Sequence, residues 1–396
     1  MNYSDAIDWL EKIPISFNSN YNQYEFKLNS INNFLKHLGN PQNSLKFIHV
    51  GGTNGKGTTC HLLSSVLQEH KYNVGLFTSP HILDFRERIK INSVKIDKKF
   101  LIDFIIQNKD YIINNKLSFF EISFALSLKF FQFKKVDFAV IEVGLGGRLD
   151  STNIIMPIVS IITNIGYDHK KFLGDTLEKI AKEKAGIIKY KTPIVVGEDK
   201  LEIQNIFEEI AIKNFSPIYF CDSVSNFKSD LKGPFIKKNI SLVIKVLDLI
   251  ETNLNHKKTV KGFLNVKKNT KFFGRWELVK KTPKVIYDVG HNISALSESL
   301  YFLENNSRVV FGTLEKKDQI DVLKSFPKDL KYYFCPVESN RGMSLAKLCK
   351  NAKTLNLNFS SHPSVDDALY NAIKESNDND TILVTGSTFL FTGLYA

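Results

Sequence analysis

The chain is poor in the residues that mark several protein classes. Its 396 residues include only four cysteines, Cys60, Cys221, Cys335 and Cys349, and none is in Cys-x-x-Cys spacing. This excludes a zinc ribbon or a disulfide scaffold and leaves buried thiols of a reducing compartment. Long apolar runs are missing too: stretches such as 154–162 are far too short for a membrane span, so no membrane partner is expected. The opening MNYSDAIDWLEKIP has no basic segment followed by an apolar one, so no secretory leader is expected and a cytoplasmic location is. There is no internal repeat and no low-complexity tract. RGG runs, zinc-finger spacing and the aromatic pattern of RNA-binding sheets are also absent. The net charge of +12 comes from lysines spread along the whole chain. It therefore points away from a nucleic-acid patch and towards small acidic substrates.

What is present is an alternation of strand-like apolar runs with longer helical patterns, which predicts an α/β fold with a largely parallel sheet. Strands are expected at 46–50, 74–77, 138–143, 158–163 and 193–196, with helices at 58–70, 99–108, 121–133 and 176–185. The Lys- and Asn-rich segment 253–273 lacks a sustained apolar period and reads as a break. A second α/β pattern follows, with strands at 284–287, 309–311, 331–334 and 381–384. The expected organisation is a P-loop nucleotide-binding domain over 1–270 and a smaller, Rossmann-like α/β domain over 271–396.

The most informative string is KFIHVGGTNGKGTT, residues 46–59: a strand, a glycine-rich turn with one lysine, then a helical pattern. Glycines let backbone N–H groups converge on phosphate oxygens, and a helix N-terminus adds positive potential. Lys56 suits the β/γ-phosphates and Thr58 a Mg²⁺ position. The spacing departs from the usual P-loop, because Gly57 stands between the lysine and the first threonine. Other strand ends carry further candidates. Ser79, in TSPH, reads as a metal ligand or as a plain turn residue. Arg86, Glu87 and Arg88 read as a solvated charge cluster or a substrate clamp. Glu142 ends an apolar strand, where a carboxylate needs a partner such as Mg²⁺. The glycines after it let the backbone approach a bulky ligand, and Asp150 suits the N–H groups of a heterocycle. His169 reads either as an ordinary histidine or as a second, softer metal position. Lys184 reads as a last-turn lysine favouring its helix dipole, with Gly186 as the cap. In the second pattern, FGR at 273–275 and YDVGHN at 287–292 stand out, and Gly386-Ser387 more weakly.

Taken in order, HVGGTNGKGTT, TSPHILDFRERI, SFFEIS, IEVGLGGRLDSTN, NIGYDHKKFLGDTLEKIAKEKAGIIK, FGRWE, YDVGHN, GTLEKKD and TGS resemble the Mur ligase superfamily. Within it, they resemble the folylpolyglutamate synthase/dihydrofolate synthase branch. The resemblance runs from about residue 49 to 387. It implies a Mur-ligase-like fold and an ATP-dependent amide ligase that adds L-glutamate to dihydropteroate and/or folate glutamates through an acyl phosphate. It also implies roles residue by residue. Thr53, Asn54, Gly55, Lys56, Gly57 and Thr58 form the ATP loop, joined on the nucleotide by Asn239, Arg275 and Asp288. Thr58, Ser79, Glu142, His169 and Lys184 hold two Mg²⁺ ions, with Lys184 carbamylated. Ser118, Phe120, Arg148 and Asp150 line the acceptor site, and Lys56, Lys184 and His291 serve catalysis. In this sequence GGTNGKG replaces AGTNGKG, FGR replaces PGR and GHNI replaces AHNP. The segment before Asn40 lacks the family's glycine-leucine-glutamate-arginine run, and this bears on acceptor range. The expected partners are ATP, L-glutamate and a pterin acceptor, and the expected state is a monomer. A muramyl-peptide ligase, a non-ligase P-loop NTPase and a nucleic-acid module remain as alternatives.

Overall fold

The computed structural model describes residues 1–14, 28–221, 224–250, 254–304, 306–315 and 319–394. The chain divides into two compact units, one of Met1–Asp230 with Lys237–Lys271, the other of Leu231–Ile236 with Phe272–Ala396.

In the first unit the strands are β1 Phe47–Gly51, β2 Val74–Phe77, β3 Ile89–Ile91, β4 Val94–Lys95, β5 Phe138–Glu142, β6 Pro157–Ile162, β7 Ile194–Val196 and β8 Ile218–Phe220. They form one sheet in the order β4-β3-β2-β5-β1-β6-β7-β8, parallel except at β3 and β4. Strand β1 lies between β5 and β6, where the order reverses. The crevice beyond its carboxyl end is therefore the place where such sheets bind ligands. β1 and β5 are buried along their whole length, as expected of strands covered on both faces.

The helix Lys56–Glu69 is buried from Thr59 to Leu67, almost all round. A helix of that kind needs cover on every side. Part of it comes from the segment read as a break, which is helical over His256–Leu264 and Val266–Thr270 and packs on this helix. Its polar composition hid the contact. Only Thr259, Gly262, Phe263, Val266 and Thr270 turn inward. Gly262 lets the backbones close up, since a Cβ there would lie 2.5 Å from the Val66 Cα. The Ser65 hydroxyl donates to the Gly262 carbonyl at 2.6 Å.

In the second unit the strands are β9 Glu277–Lys281, β10 Lys284–Asp288, β11 Arg308–Phe311, β12 Lys331–Phe334, β13 Asn358–Ser361 and β14 Thr381–Thr385, ordered β13-β12-β11-β14-β10-β9. Only β9 is antiparallel. Strands β9 and β13 escaped the sequence reading because ELVKK and NFSS are charged or polar and mostly exposed. The unit has its own core around Val309, Phe311, Tyr332, Phe334 and Leu383. None of the four cysteines is in a disulfide, and Cys60 and Cys335 are buried thiols. Of the GTLEKKD string, Lys316, Lys317 and Asp318 lie outside the described residues.

Candidate active site

The glycine loop leaves β1 at the switch point and is pinned from several sides. The backbone N–H of Thr53 donates to the Asn164 carbonyl at 3.0 Å, and that of Asn54 to the Asn164 side chain at 2.9 Å. Thr163 Oγ1 donates to the Asn54 carbonyl at 2.6 Å. Thr53 Oγ1 donates to the Gly166 carbonyl at 3.2 Å and accepts from the Gly166 N–H at 2.9 Å. Gly52 (φ +133°) and Gly55 (φ +80°) take left-handed conformations that a side chain would resist. A Cβ on Gly55 would lie 2.8 Å from Asn239 Oδ1, so the buried Asn239 sits directly against the loop. Lys56 Nζ folds back to the Thr53 carbonyl at 3.1 Å.

Glu142 stands at the end of β5, 4 % exposed. Its Oε2 accepts the Ser79 N–H at 2.9 Å, and a Cβ on Gly57 would lie 3.4 Å from the same oxygen. The structure thus brings the loop, Ser79 and Glu142 together. Among the described residues no three His, Cys, Asp or Glu side chains form a metal-binding group. The Glu142 carboxylate stands here against the Ser79 backbone and the loop residue just before Thr58, so the groups these residues can offer are oxygens. Such an oxygen-only set fits Mg²⁺, which keeps waters and shares substrate phosphates.

Lys184 is 4 % exposed, and its Nζ donates to the Gly52 carbonyl at 2.7 Å. Burial, then the charge of Lys56, pulls its ammonium down to about 7, with Asp168 and Asp150 opposing. Lys184 is in the last turn of its helix, as read from the sequence, but its amine is buried and turned to the loop. Gly186 does cap this helix, but in a right-handed conformation (φ −60°). It is glycine because a Cβ would lie 2.3 Å from the Arg148 Cα. Arg148 reaches Glu183 Oε1 at 2.9 Å and donates its N–H to the Glu183 carbonyl at 2.8 Å.

Asp150 is buried, which raises its carboxyl pKa, while Thr152 and the Leu145 N–H oppose that rise through hydrogen bonds. Phe120 lies over Gly144, where a Cβ would meet its ring at 2.5 Å. Ser118 caps its own helix, accepting from the Glu121 N–H at 3.3 Å and donating to Glu121 Oε2 at 2.7 Å. His169 has φ +48° and sits partly exposed, with Nε2 3.7 Å from Asp168 Oδ1.

Of the Arg86–Arg88 cluster, read as solvated or as a substrate clamp, Glu87 and Arg88 are buried and Arg86 is partly so. Glu87 accepts the N–H groups of Ile82 and Asp84 at 2.8 and 2.9 Å. Arg88 stacks on Phe119 at 5.0 Å and donates to His81 Nδ1 at 2.7 Å. Sequence reasoning missed Thr163 and Asn164 as loop braces. It also missed Glu198, whose carboxylate takes the Ile165 N–H at 2.9 Å. These bonds join positions more than thirty residues apart, so no local signal marks them.

In the second unit, Asp288 ends β10. It is buried, which raises its pKa against the charge of Arg275, and it accepts from Ser299 Oγ at 3.0 Å. The FGR turn is held to that strand end by Val289 N–H donating to the Gly274 carbonyl at 3.0 Å. His291 Nδ1 lies 3.2 Å from the Val289 carbonyl. The neighbouring strand end contributes Gly386, whose N–H donates to the Gly290 carbonyl at 3.1 Å.

A switch-point phosphate loop facing a strand-end carboxylate, with a separate glutamate-ligase-like unit, defines a Mur ligase. The Mur ligase middle domain matches residues 50–266, and the Mur ligase glutamate ligase domain matches residues 274–388. Dihydrofolate synthase/folylpolyglutamate synthase of Bacillus subtilis is 31 % identical over 406 residues, covering 93 % of this chain and 94 % of its own. A folylpolyglutamate synthase structure from Thermotoga maritima superposes with TM-score 0.79 at 30 % identity, covering 99 % of this chain and 96 % of its own. The bifunctional Yersinia pestis enzyme, solved with AMPPNP and a Mn ion, gives TM-score 0.87 at 26 % identity, covering 100 % and 98 %. The chain spans half the length of a Haloferax volcanii relative named as a probable bifunctional folylpolyglutamate synthase/dihydropteroate synthase. The chain belongs to the folylpolyglutamate synthase/dihydrofolate synthase family of ATP-dependent ligases.

Proposed function

We propose that the protein joins L-glutamate to dihydropteroate and/or to a reduced folate glutamate, with ATP as co-substrate. The observation that carries this is the Glu142 carboxylate held at the lip of the glycine loop by the Ser79 N–H. The acceptor carboxylate attacks the γ-phosphorus, an O–P bond forms, and ADP leaves. The amine of glutamate then attacks the acyl carbon, inorganic phosphate departs, and the amine loses a proton to solvent.

Loop N–H groups from Thr53 to Thr58 and the start of the helix Lys56–Glu69 bind the phosphates, and Lys56 swings from the Thr53 carbonyl onto them. Asn239 shapes the nucleotide's floor beside Gly55. Thr58, Ser79 and Glu142 would hold one Mg²⁺, with His169 and a carbamylated Lys184 at a second, and bound Mg²⁺ neutralises charge on the transferring phosphoryl group. Lys184 suits carbamylation because an amine held near 7 is substantially unprotonated at neutral pH. Its nitrogen bonds to the carbon of CO₂ and releases a proton. Ser118, Phe120, Arg148 and Asp150 are assigned to the acceptor, Arg275 and Asp288 to the nucleotide, and His291 to the developing charge. In solution the protein is taken to be a monomer, which light scattering tests.

The decisive assay supplies ATP, Mg²⁺ and glutamate with either dihydropteroate or a reduced folate, and scores product mass. A mass gain of one glutamyl residue is expected with at least one acceptor. ATP hydrolysis with neither product would overturn the reading. Glu142→Ala is expected to stay folded by circular dichroism and to release no ADP with all substrates present. For Lys184, ¹³CO₂ is expected to give a carbamate carbon resonance that Lys184→Ala lacks.

A further inference from the structure

A buried histidine with no part in the scheme above sits on β1, two residues before the glycine loop. His49 is 0 % exposed, and its Nε2 lies 2.9 Å from Thr152 Oγ1. Thr152 Oγ1 is in turn 2.5 Å from Asp150 Oδ1, and the Thr152 N–H reaches the same oxygen at 2.9 Å. The Leu145 N–H takes Asp150 Oδ2 at 2.8 Å.

Proton counting fixes the direction of this chain. A carboxylate only accepts, so the single Thr152 hydroxyl proton goes to Asp150, and Thr152 Oγ1 must accept from His49. His49 is therefore the Nε2–H tautomer, which leaves Nδ1 a bare acceptor. Nδ1 is buried and has no hydrogen-bond partner among the described residues. Burial, then the charge of Lys189, holds the imidazolium down to about 3, so the ring stays neutral. A buried unpaired ring nitrogen carries a desolvation penalty that an apolar side chain of similar size does not. What the ring contributes is its Nε2–H, donated to Thr152.

We propose that His49 is a positioning residue for the acceptor: through Thr152 it locks the Asp150 carboxylate in the orientation that receives the pterin N–H groups. Donors on the protein side take up one lone pair after another on Oδ1 and Oδ2. The carboxylate is thereby held from the protein side, by two donors on Oδ1 and one on Oδ2. The relay also ties that loop to the strand that delivers the ATP loop. This inference rests on the assignment of Asp150 to the acceptor made under the proposed function.

The test compares wild type, His49→Leu and His49→Gln, since the glutamine amide can place an N–H where Nε2 stands. Two readouts are used: dissociation constants for dihydropteroate and folate from quenching of pterin fluorescence, and KM values for ATP, glutamate and acceptor. His49→Leu is expected to weaken acceptor binding up to about tenfold, the scale of one lost neutral hydrogen bond, with the KM for ATP and glutamate within twofold. His49→Gln is expected to return most of that loss. ¹⁵N chemical shifts of the wild-type ring are expected to report a protonated Nε2 and an unprotonated Nδ1. Three results would overturn the proposal: unchanged acceptor binding in folded His49→Leu, equal damage to all three substrates, or a protonated Nδ1. Failure of the wild type to form any glutamylated product would instead strike the functional reading, which the variant comparison does not decide.

Discussion

Placing an amine against a carbonyl, away from water, as at Lys184, ties both its charge and the stability of the fold to pH. The folded amine titrates near 7, below the ordinary lysine value of 10.5. Between those values the unfolded chain binds the proton that the folded chain refuses, so stability rises with pH across that window and is lowest below 7. In CO₂-free buffer, Lys184→Met is expected to flatten this rise, read from denaturant midpoints at neutral and alkaline pH. An unchanged slope would remove Lys184 as its source. At this scale the sequence displayed the chemistry and hid the supports. Lys56, Glu142 and Asp150 were visible because polar groups at strand ends and among glycines need ligands or partners. The partners were not marked: Asn164 follows β6 and His49 lies within β1, far along the chain from what they hold, and nothing local tied Thr152 to His49. Lys184 was visible as a lysine, but its burial was not, since its helix is otherwise polar and half exposed.

Among the elements, the turn between β5 and β6 and the helix Leu177–Ala185 are locked backbone to backbone. Gly147 and Gly186 are the points of closest approach, where a Cβ would lie 2.7 Å from the Lys184 carbonyl oxygen or 2.3 Å from the Arg148 Cα. Neither neighbour is a flexible side-chain end, so Gly186→Ala must push the two segments apart. The expected cost is about 1–3 kcal/mol in urea unfolding, with acceptor affinity falling as well. A variant as stable and as active as wild type would show that the contact yields freely. The parallel strands were legible because covered strands must be apolar throughout. The helices 256–264 and 266–270 were not, because a helix touching its neighbour through one glycine and a few small or aromatic residues leaves little period to read. β9 and β13 flank their sheet, where one exposed side permits the charged and polar sequences that conceal them.

Over the whole molecule the excess of +12 has a kinetic consequence, because ATP, glutamate and pterin glutamates are all anions. Long-range attraction raises their encounter rate and is screened beyond about 8–10 Å at ordinary ionic strength. Raising salt from about 0.05 M to about 0.5 M is expected to raise the KM for ATP several-fold while kcat holds, measured by steady-state ADP release. A KM indifferent to salt would mean that the lysines serve only solubility. The division of the chain has a consequence of another kind. Leu231–Ile236 belongs with the residues after 272, and a Cβ on Gly233 would lie 3.0 Å from Trp276 Cγ. As the polypeptide emerges during synthesis, the first unit can close around Lys237–Lys271 while these six residues wait for a partner not yet translated. A gene fragment stopped after Lys271 would strand them permanently. The two units can be told apart in space, but they cannot be separated by a single cut in the message.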